Sequence, residues 1–293
     1  MLTYDHPLFR PPSEANSLIF QITIGCSRNL CTFCGMYKGK TFRHKSLDEV
    51  FAEIASLPAP LYAGVDRVFL ADGDALVYPF AGLSAILDRL AASFPNLKRV
   101  GAYASPQSLT TKSPDELSIL REKRLRILYF GLESGDDETL KNVDKGFAAA
   151  EMEREALKAR GAGVKLSVTA VLGLAGRARS LEHARATAAW LNRVNPEYFS
   201  LLTLFHRHNE EFVGQLQQCT RGDLLAEARE LVAHLHPAKT ILRSNHVSNF
   251  LQLAGSYPKD RERIIADVDA AISRARSVPG YLAGFPGYGE EHY

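Results

Sequence analysis

Three cysteines lie close together in this chain, and cysteine thiolates are ligands for iron, zinc and copper. Cys26, Cys31 and Cys34 fall within nine residues, in the stretch GCSRNLCTFCG. The fourth cysteine, Cys219, is far from them along the chain. Secreted domains held by disulfides have cysteines that are more evenly spread. The spacing therefore favours reduced thiolates that bind a metal centre.

The number of clustered cysteines bears on which centre they bind. A [4Fe–4S] cube takes one thiolate per iron, so three cysteines leave one iron open to a bidentate small molecule. A structural zinc site is the first alternative, and it needs a fourth ligand such as His44 or Cys219 and usually two cysteine pairs. Three buried cysteines without a metal are the second alternative. Only one Cys-x2-Cys pair is present, which favours the cluster.

The cysteine loop follows the first of six predicted strands. Apolar runs bounded by turn residues predict strands at 18–24, 67–70, 99–103, 126–131, 165–172 and 197–204, each followed by a helical stretch. This repeat predicts parallel strands joined by right-handed crossovers, in a barrel or an open doubly wound sheet. In both folds the loops after the strands form the functional edge.

Several helix ends are also predicted. Ser46 and Ser113 each precede an acidic first turn and predict N-caps, Gly161 ends a helix from about Ala148, and Ser180 opens a helix that runs to about Val194. Beyond the sixth strand we expect helices near 223–235 and 259–276, with an extended piece between them at 240–253.

The cysteine motif resembles that of the radical S-adenosylmethionine (SAM) superfamily, in which the usual spacing is Cys-x3-Cys-x2-Cys with an aromatic residue before the last cysteine. Phe33 occupies the aromatic position, but four residues separate Cys26 from Cys31. The resemblance implies a [4Fe–4S] cluster on the three cysteines, with SAM as the ligand of the open iron. It also implies an α/β fold, a partial (β/α)6 TIM-like barrel with N-terminal and C-terminal extensions.

The same resemblance implies SAM contacts after the later strands. Asp74 ends a segment, Ala71 to Asp74, where the family carries an acid for the SAM amino group. The segment GLESG at 131–135 is similar to the branch that contains oxygen-independent coproporphyrinogen oxidase and elongator-type proteins, and places Glu133 towards the ribose. The segment GLAG at 173–176 faces adenine. The predicted cofactor-binding residues are Phe33, Asp72, Gly73, Asp74, Ser105, Gln107, Glu133, Ser134 and Gly173, and the predicted metal ligands are Cys26, Cys31 and Cys34.

Each of these positions also has a plainer interpretation. The Asp-Gly-Asp sequence forms turns, Ser105 and Gln107 are turn formers, and glycines permit turns without any ligand. An acid such as Glu133 stabilises a helix N-terminus. No catalytic residue is assigned by the sequence.

Two polar segments extend the resemblance over nearly the whole chain. Residues 9–15 and 243–249 resemble segments of an uncharacterised bacterial radical SAM group with the same cysteine spacing. The segment 243–249 has the composition of a polar substrate site or of a capping strand that satisfies loop carbonyls. His206 could contact substrate or lie on the surface. A basic run steers an acidic substrate or reductant, or is a solvated face: Lys38, Lys40, Arg43, His44 and Lys45.

Composition limits the other functional classes. The 293 residues are 46% apolar and 23% charged, with a net charge of +2, which predicts a globular protein without a broad face for nucleic acid or membrane. The N-terminus lacks the apolar core of a signal peptide, so we expect a cytoplasmic protein. We expect an N-terminal extension at 1–17, a radical SAM core at 18–206 and a C-terminal extension covering the barrel at 207–293.

The expected function is that of a radical SAM enzyme. The resemblance implies reductive cleavage of SAM to a 5′-deoxyadenosyl radical that acts on a small-molecule substrate, with electrons from a flavodoxin- or ferredoxin-type donor. Modification of RNA or another macromolecule is the alternative within the family. From a different class, the chain is a non-catalytic iron–sulfur or zinc protein. The substrate and the reaction outcome are not specified by the sequence.

Overall fold

The computed structural model describes residues 2–206, 208–246 and 248–286. The strands are β1 Leu18–Gln21, β2 Thr23–Ile24, β3 Arg43–His44, β4 Arg67–Ala71, β5 Arg99–Ala104, β6 Leu125–Glu133, β7 Lys165–Leu172, β8 Tyr198–Thr203, β9 Thr240–Arg243 and β10 Ala254–Tyr257. The helices are α1 Leu47–Ala55, α2 Ala59–Gly64, α3 Phe80–Ser93, α4 Pro106–Thr110, α5 Pro114–Glu122, α6 Asp137–Asn142, α7 Ala149–Gly161, α8 Gly176–Val194, α9 Glu210–Gln215, α10 Arg221–His234 and α11 Arg261–Arg276.

The described residues divide into two compact units. The first comprises residues 2–29, 36–131 and 154–166, and the second comprises residues 30–35, 132–153 and 167–286 apart from the two undescribed positions. Among these residues, no helix has both the length and the apolar content needed to cross a membrane.

Parallel strands form the centre of the first unit. β1 pairs with β4, β4 with β5, and β5 with β6, all in parallel. The core side chains Phe20, Phe69, Val100 and Phe130 are buried. Strands of this kind read as nearly continuous apolar runs because both faces of a parallel sheet are covered, which is why the sequence predicted their positions closely.

The second unit continues the pattern and adds two strands. β7 pairs with β8 and β8 with β9 in parallel, while β10 runs antiparallel to β9. The full order is β1, β4, β5, β6, β7, β8, β9, β10, with β2 and β3 in a separate small sheet. The predicted α/β class is confirmed. Of the extended piece expected at 240–253, residues 240–243 form β9, and β10 follows at 254–257, which gives the sheet eight strands within the described residues.

The N-terminal segment contributes a buried acid to the first unit. Glu14 is fully buried and pairs with Arg99 at 3.0 Å. Its carboxylate also accepts hydrogen bonds from Tyr129 and Ser17. A side chain at Gly101 would come within 3.1 Å of the Glu14 carboxylate, so this strand position has little room for one. The three donors compensate for the burial of the charge.

The helix-start predictions are partly confirmed. Ser46 and Ser113 each accept a hydrogen bond from the backbone three residues on and complete capping boxes at α1 and α5. The start predicted at Ser180 is wrong, because α8 begins at Gly176 and Ser180 is buried inside it. The helix continues directly from the turn after β7, where Gly176 adopts φ +66°. Asn195, in the left-handed conformation, ends it.

The single tryptophan of the chain lies in the second unit. Trp190 is fully buried on α8, and its indole N–H donates to the carbonyl of Ala149 at 3.0 Å. Buried indoles usually have such a partner. The contact joins the C-terminal part of α8 to the first residue of α7.

Candidate functional site

The cysteine loop begins directly after β2. All three cysteines are free thiols and partly exposed, with Cys26 in the first unit and Cys31 and Cys34 in the second. Within residues 2–206, 208–246 and 248–286, no three His, Cys, Asp or Glu side chains form a ready metal-binding group. The donor chemistry nevertheless fits a cluster, because three accessible thiols are the ligands that an iron–sulfur centre takes. The ligand set itself stays a prediction.

In the first unit, the loop after β4 lies against Cys26. A side chain at Gly73 would come within 3.1 Å of the Cys26 Cβ and 2.6 Å of the Tyr37 ring. The Gly73 amide donates to the carbonyl of Gly25 at 3.1 Å. The backbone of this loop therefore approaches the cysteine loop as closely as only a glycine permits.

Asp72 joins the two loops through a buried ion pair. Its side chain is fully buried, and one carboxylate oxygen accepts from the Gly25 amide at 3.1 Å and from Gln21 at 3.0 Å. The same oxygen lies 2.9 Å from the Lys40 ammonium. Lys40 also donates to the carbonyls of Asp5 and Pro7, both at 2.7 Å. Asp72 thus supports the conformation of the cysteine loop from inside the protein.

Asp74 is also fully buried, and it holds loops that follow two different strands. Its carboxylate accepts from the Ser27 hydroxyl at 2.5 Å, and from the Ser105 hydroxyl and amide at 2.6 and 3.0 Å. Burial raises the pKa of Asp74, while the hydrogen bonds from Ser105, Ser108 and Ser27 act in the opposite direction. Asp74 has several protein donors already, so it organises the loops around the position predicted for SAM.

Ser105 and Gln107 lie at the start of α4. Ser105 is its N-cap, and the Ser105 hydroxyl accepts from the Ser108 amide at 3.0 Å while donating to Asp74. Gln107 is half-buried in the first turn of the helix. The structure brings Ser105 together with Asp74 and Ser27, and the predicted role of Gln107 rests on the sequence.

In the second unit, Glu133 and Ser134 end β6. Glu133 has a positive φ of 65° and forms an ion pair with Lys145 at 3.1 Å, with both side chains largely buried. Ser134 is fully buried, and its hydroxyl lies 2.8 Å from Nδ1 of His183. It also accepts from the Asp136 amide at 2.9 Å. Ser134 therefore has a supporting position behind the loop.

Phe33 and Gly173 lie at the other strand ends of the second unit. Phe33 packs against a buried apolar cluster that contains Val171 and Leu204, the residues near the ends of β7 and β8. Its carbonyl accepts from the Asn209 side chain at 2.7 Å. Gly173 has a φ of +80° and donates its amide to Glu227 at 3.0 Å. A narrow cavity there is lined by Gly173, Leu204, His206 and Cys219.

The segment 243–249 satisfies the edge of β8 with its side chains. Asn249 donates to the carbonyl of Leu201 at 2.6 Å and accepts from Thr203, and Ser248 accepts from the Thr203 amide at 3.1 Å. These contacts favour the capping interpretation over a substrate site. Val247, which belongs to this segment, lies outside the described residues.

The basic run after the cysteines does not form one exposed face. Lys40 and Lys45 have buried side chains that pair with Asp72 and with Glu53 at 2.5 Å. Lys38 is exposed and donates to the carbonyl of Asn29 at 3.1 Å. Of these five residues, Lys40 therefore supports the cysteine loop through Asp72, and Lys45 is paired with Glu53 of α1.

Sequence reasoning missed two functional candidates, His183 and Glu227. Both are fully buried, and they lie on α8 and α10, away from the strand ends that were inspected. The available signal was a polar residue on the helix face whose other positions are mostly small or apolar. Their pairing depends on tertiary structure, since Glu227 lies 54 residues from the glycine that it contacts.

Two sequence comparisons match part of this chain to known proteins. The family model described as the radical SAM superfamily matches residues 20–191. A Methanocaldococcus jannaschii protein named as a methylthiotransferase is 29% identical over 153 residues, which is 49% of this chain and 32% of that protein.

Solved structures share the fold at low identity. Coproporphyrinogen III oxidase of Escherichia coli matches with a TM-score of 0.60 and 20% identity, over 74% of this chain and 51% of that one. Methylornithine synthase matches with a TM-score of 0.52 and 13% identity, over 86% and 68%. A radical SAM methyltransferase from Kitasatospora setae, solved with cobalamin and a [4Fe–4S] cluster, matches with a TM-score of 0.51 and 18% identity. The match covers 94% of this chain and 55% of that one. The chain spans about a third of the first relative and half of the first structure.

Proposed function

Because the family's domain covers residues 20–191, this chain belongs to the radical SAM superfamily, and we propose that Cys26, Cys31 and Cys34 hold its [4Fe–4S] cluster. Enzymes of this superfamily use that cluster together with SAM. When bound and reduced, the cluster supplies the electron that cleaves SAM to methionine and a 5′-deoxyadenosyl radical, which takes a hydrogen atom from the substrate.

The three free, partly exposed thiols within nine residues carry the proposal. The loop after β4 packs against Cys26 through Gly73, and the buried Asp72 and Asp74 accept hydrogen bonds from Gly25 and Ser27 of the cysteine loop. The protein's part in the chemistry is to fix these loops in advance, so that little rearrangement is needed when the cofactors bind.

The substrate that we propose is a small molecule. A net charge of +2 gives little general attraction for RNA. We propose residues 18–206 as the core, 1–17 and 207–293 as extensions, and a flavodoxin- or ferredoxin-type protein in the cytoplasm as electron donor. Transfer of a methylthio group, as in the name of the relative, needs a sulfur source besides SAM. Cys219 is a poor candidate for that source, because burial raises the pKa of its thiol.

Anaerobic reconstitution with iron and sulfide, followed by reduction and addition of SAM, tests the cofactor assignment. We expect a brown protein with a [4Fe–4S] electron paramagnetic resonance signal and release of 5′-deoxyadenosine. Changing Cys26, Cys31 or Cys34 to Ala should abolish both. Cys219→Ala is the matched control and should retain both. Cluster binding and SAM cleavage in Cys31→Ala would overturn the assignment.

Isotope transfer identifies the substrate class. The reduced holoenzyme is incubated with SAM and a fully deuterated cell extract, divided into small-molecule, RNA and protein fractions. Abstraction of a substrate hydrogen places deuterium in 5′-deoxyadenosine. We expect this label with the small-molecule fraction, and label from the RNA fraction alone would contradict the proposal.

A further inference from the structure

A carboxylate from α10 holds the turn at the end of β7. Glu227 is fully buried, and its two oxygens accept from the Gly173 amide at 3.0 and 3.2 Å. Gly173 has a φ of +80°, which side-chain-bearing residues rarely adopt. The orientation of this peptide is therefore set by a residue from outside the segment that matches the family model.

A histidine from α8 connects Glu227 to the loop after β6. His183 is fully buried, its Nδ1 lies 2.8 Å from the Ser134 hydroxyl, and its Nε2 lies 3.4 Å from Oε1 of Glu227. The 3.4 Å separation is a contact and not a hydrogen bond, so His183 packs against Glu227 while its ring bonds to Ser134. Ser134 in turn accepts from the Asp136 amide at 2.9 Å.

A second contact fixes the same loop on α8. The Gly135 amide donates to the Thr187 hydroxyl at 3.0 Å. A side chain at Gly135 would come within 2.4 Å of the Ala186 carbonyl, so the loop backbone lies directly on the helix. His183 and Thr187, one turn apart on α8, therefore hold adjacent residues of one loop.

Burying Glu227 and His183 costs more free energy than packing α8 against α10 requires. Burying an ionisable group costs several kcal/mol unless hydrogen bonds compensate, and apolar side chains of similar volume would fill the space at less cost. What the polar groups add is a fixed direction for two backbone segments, those after β6 and β7. Both segments carry residues assigned to SAM in the proposed function, namely Glu133 and Gly173.

We propose that Glu227 and His183 are positioning residues for SAM, which set the geometry of the loops after β6 and β7 through Gly173 and Ser134. The inference rests on the proposed function, because it assigns those loops to the cofactor. The C-terminal extension then completes the cofactor site by supplying Glu227.

The protonation state of the pair decides which variants preserve the contact. Burial raises the pKa of Glu227 to about 8 and lowers the pKa of His183 to about 4. Both side chains are therefore uncharged at neutral pH. A glutamine at position 227 has the same length and an oxygen that accepts from Gly173, whereas an aspartate keeps the acid but reaches less far.

Three substitutions at one position test the proposal. Glu227→Gln should bind SAM as the wild type does, and Glu227→Asp and Glu227→Leu should weaken SAM binding about tenfold, as expected for loss of one buried hydrogen bond. Glu230→Leu, which removes a half-buried acid of α10 that pairs with Arg185 and does not contact Gly173, is the matched control. Affinity is measured on the reconstituted protein, with iron content expected to be equal in all variants.

Hydrogen exchange in the protein without cofactors gives an independent readout. Peptides covering 171–176 should exchange faster in Glu227→Asp and Glu227→Leu than in the wild type, Glu227→Gln and Glu230→Leu. If Glu227→Leu does not fold, comparing Glu227→Asp with Glu227→Gln still tests the proposal. Both side chains are polar, but only glutamine is long enough to accept from the Gly173 amide. Equal SAM affinity in all folded variants would overturn the proposal. Absence of SAM binding in the wild type would instead overturn the proposed function, whatever the exchange shows.

Discussion

Single residues near the cysteines act mainly by arranging other residues. The family resemblance predicts that Asp74 accepts from the SAM amino group, and in the structure its carboxylate accepts three hydrogen bonds from Ser27 and Ser105. A buried carboxylate needs such donors in order to stay inside the protein. The sequence predicts that an acid belongs at this position, but the serines that contact it come from distant parts of the chain and are found only in the fold.

Removing the Asp74 carboxylate tests this supporting role. Asp74→Ala leaves the Ser27 and Ser105 hydroxyls without their common acceptor, while the Ser105 amide keeps the Ser108 hydroxyl, and we expect the free energy of unfolding to fall by about 2–3 kcal/mol. Urea denaturation measures the change. The control is Asp66→Ala, at the more exposed start of the same strand, with an expected loss below about 1 kcal/mol. Equal losses in the two variants would contradict the assignment.

The contact of Gly73 with the Tyr37 ring gives a second prediction at this scale. A methyl group at position 73 lies 2.6 Å from a ring carbon, so Gly73→Ala should lower the free energy of unfolding by about 1–3 kcal/mol through overpacking. Tyr37→Leu removes the ring, and the double variant should lose less than the sum of the two single losses. Additive losses from the two changes would show that the ring is not the obstacle.

At the scale of elements, helix starts were predictable where a side chain caps the backbone locally. Ser46 and Ser113 fulfil this condition, since both partners of each capping box lie within four residues. Ser180 resembles such a start but is buried in α8, where it hydrogen-bonds to Glu227. A serine near the beginning of an apolar pattern is thus an N-cap or a buried donor, depending on a partner that is remote in the chain.

The cap of α5 provides a test with an internal control. Ser113→Ala should reduce the free energy of unfolding by about 1 kcal/mol, because the Glu116 amide loses its acceptor. Ser118→Ala, in the middle of the same helix, removes a hydroxyl that donates to the Pro114 carbonyl and should be near neutral. Thermal unfolding of both variants makes the comparison, and a larger loss for Ser118→Ala would refute the prediction.

The pair on α8 and α10 gives stability a defined pH dependence. The pKa of Glu227 is about 8 in the folded protein, above its ordinary value, so its contribution is lost as pH rises towards 8. The pKa of His183 is about 4, below its ordinary value, so its contribution grows as pH rises to about 6.5. The two changes offset one another below pH 6.5. Between pH 6.5 and 8, the free energy of unfolding should therefore fall by about 2 kcal/mol.

Glu227→Gln distinguishes the titration of Glu227 from the titration of the charged groups around it. Asp136 acts on His183, while Asp223, itself paired with Arg177, acts on Glu227. The variant lacks the titrating acid, so its stability should stay level between pH 6.5 and 8. Urea midpoints across this range, with Glu230→Gln as control, make the measurement. A decline as steep as that of the wild type would assign the effect to other groups.

On the scale of the whole molecule, the repeat of strands and helices was predictable and the integration of the N-terminal segment was not. Alternating apolar runs and breakers predict six of the eight strands of the large sheet. Residues 1–17 look like an appendage in the sequence, yet they supply the buried Glu14 and two carbonyls that accept from Lys40. Their partners are single residues on remote elements, which no local pattern reveals.

Deletion of residues 1–17 should therefore destabilise the first unit. The deletion leaves Arg99 without its carboxylate, and buried ion pairs that lose one partner typically cost about 3–5 kcal/mol. We expect a protein that unfolds at much lower urea concentration or does not accumulate in folded form. Deletion of residues 2–3 alone is the control and should have little effect. Unchanged stability after the longer deletion would show that the segment is dispensable.

The buried Trp190 is an intrinsic fluorescence probe of the second unit. Because the chain has one indole, and it lies between α7 and α8, tryptophan emission arises entirely from the second unit. Tyrosine absorbance and circular dichroism report on both units. A urea or pH titration followed by these signals together would show whether the two units unfold as one cooperative body, and selective excitation of the indole would follow the surroundings of His183 on the same helix.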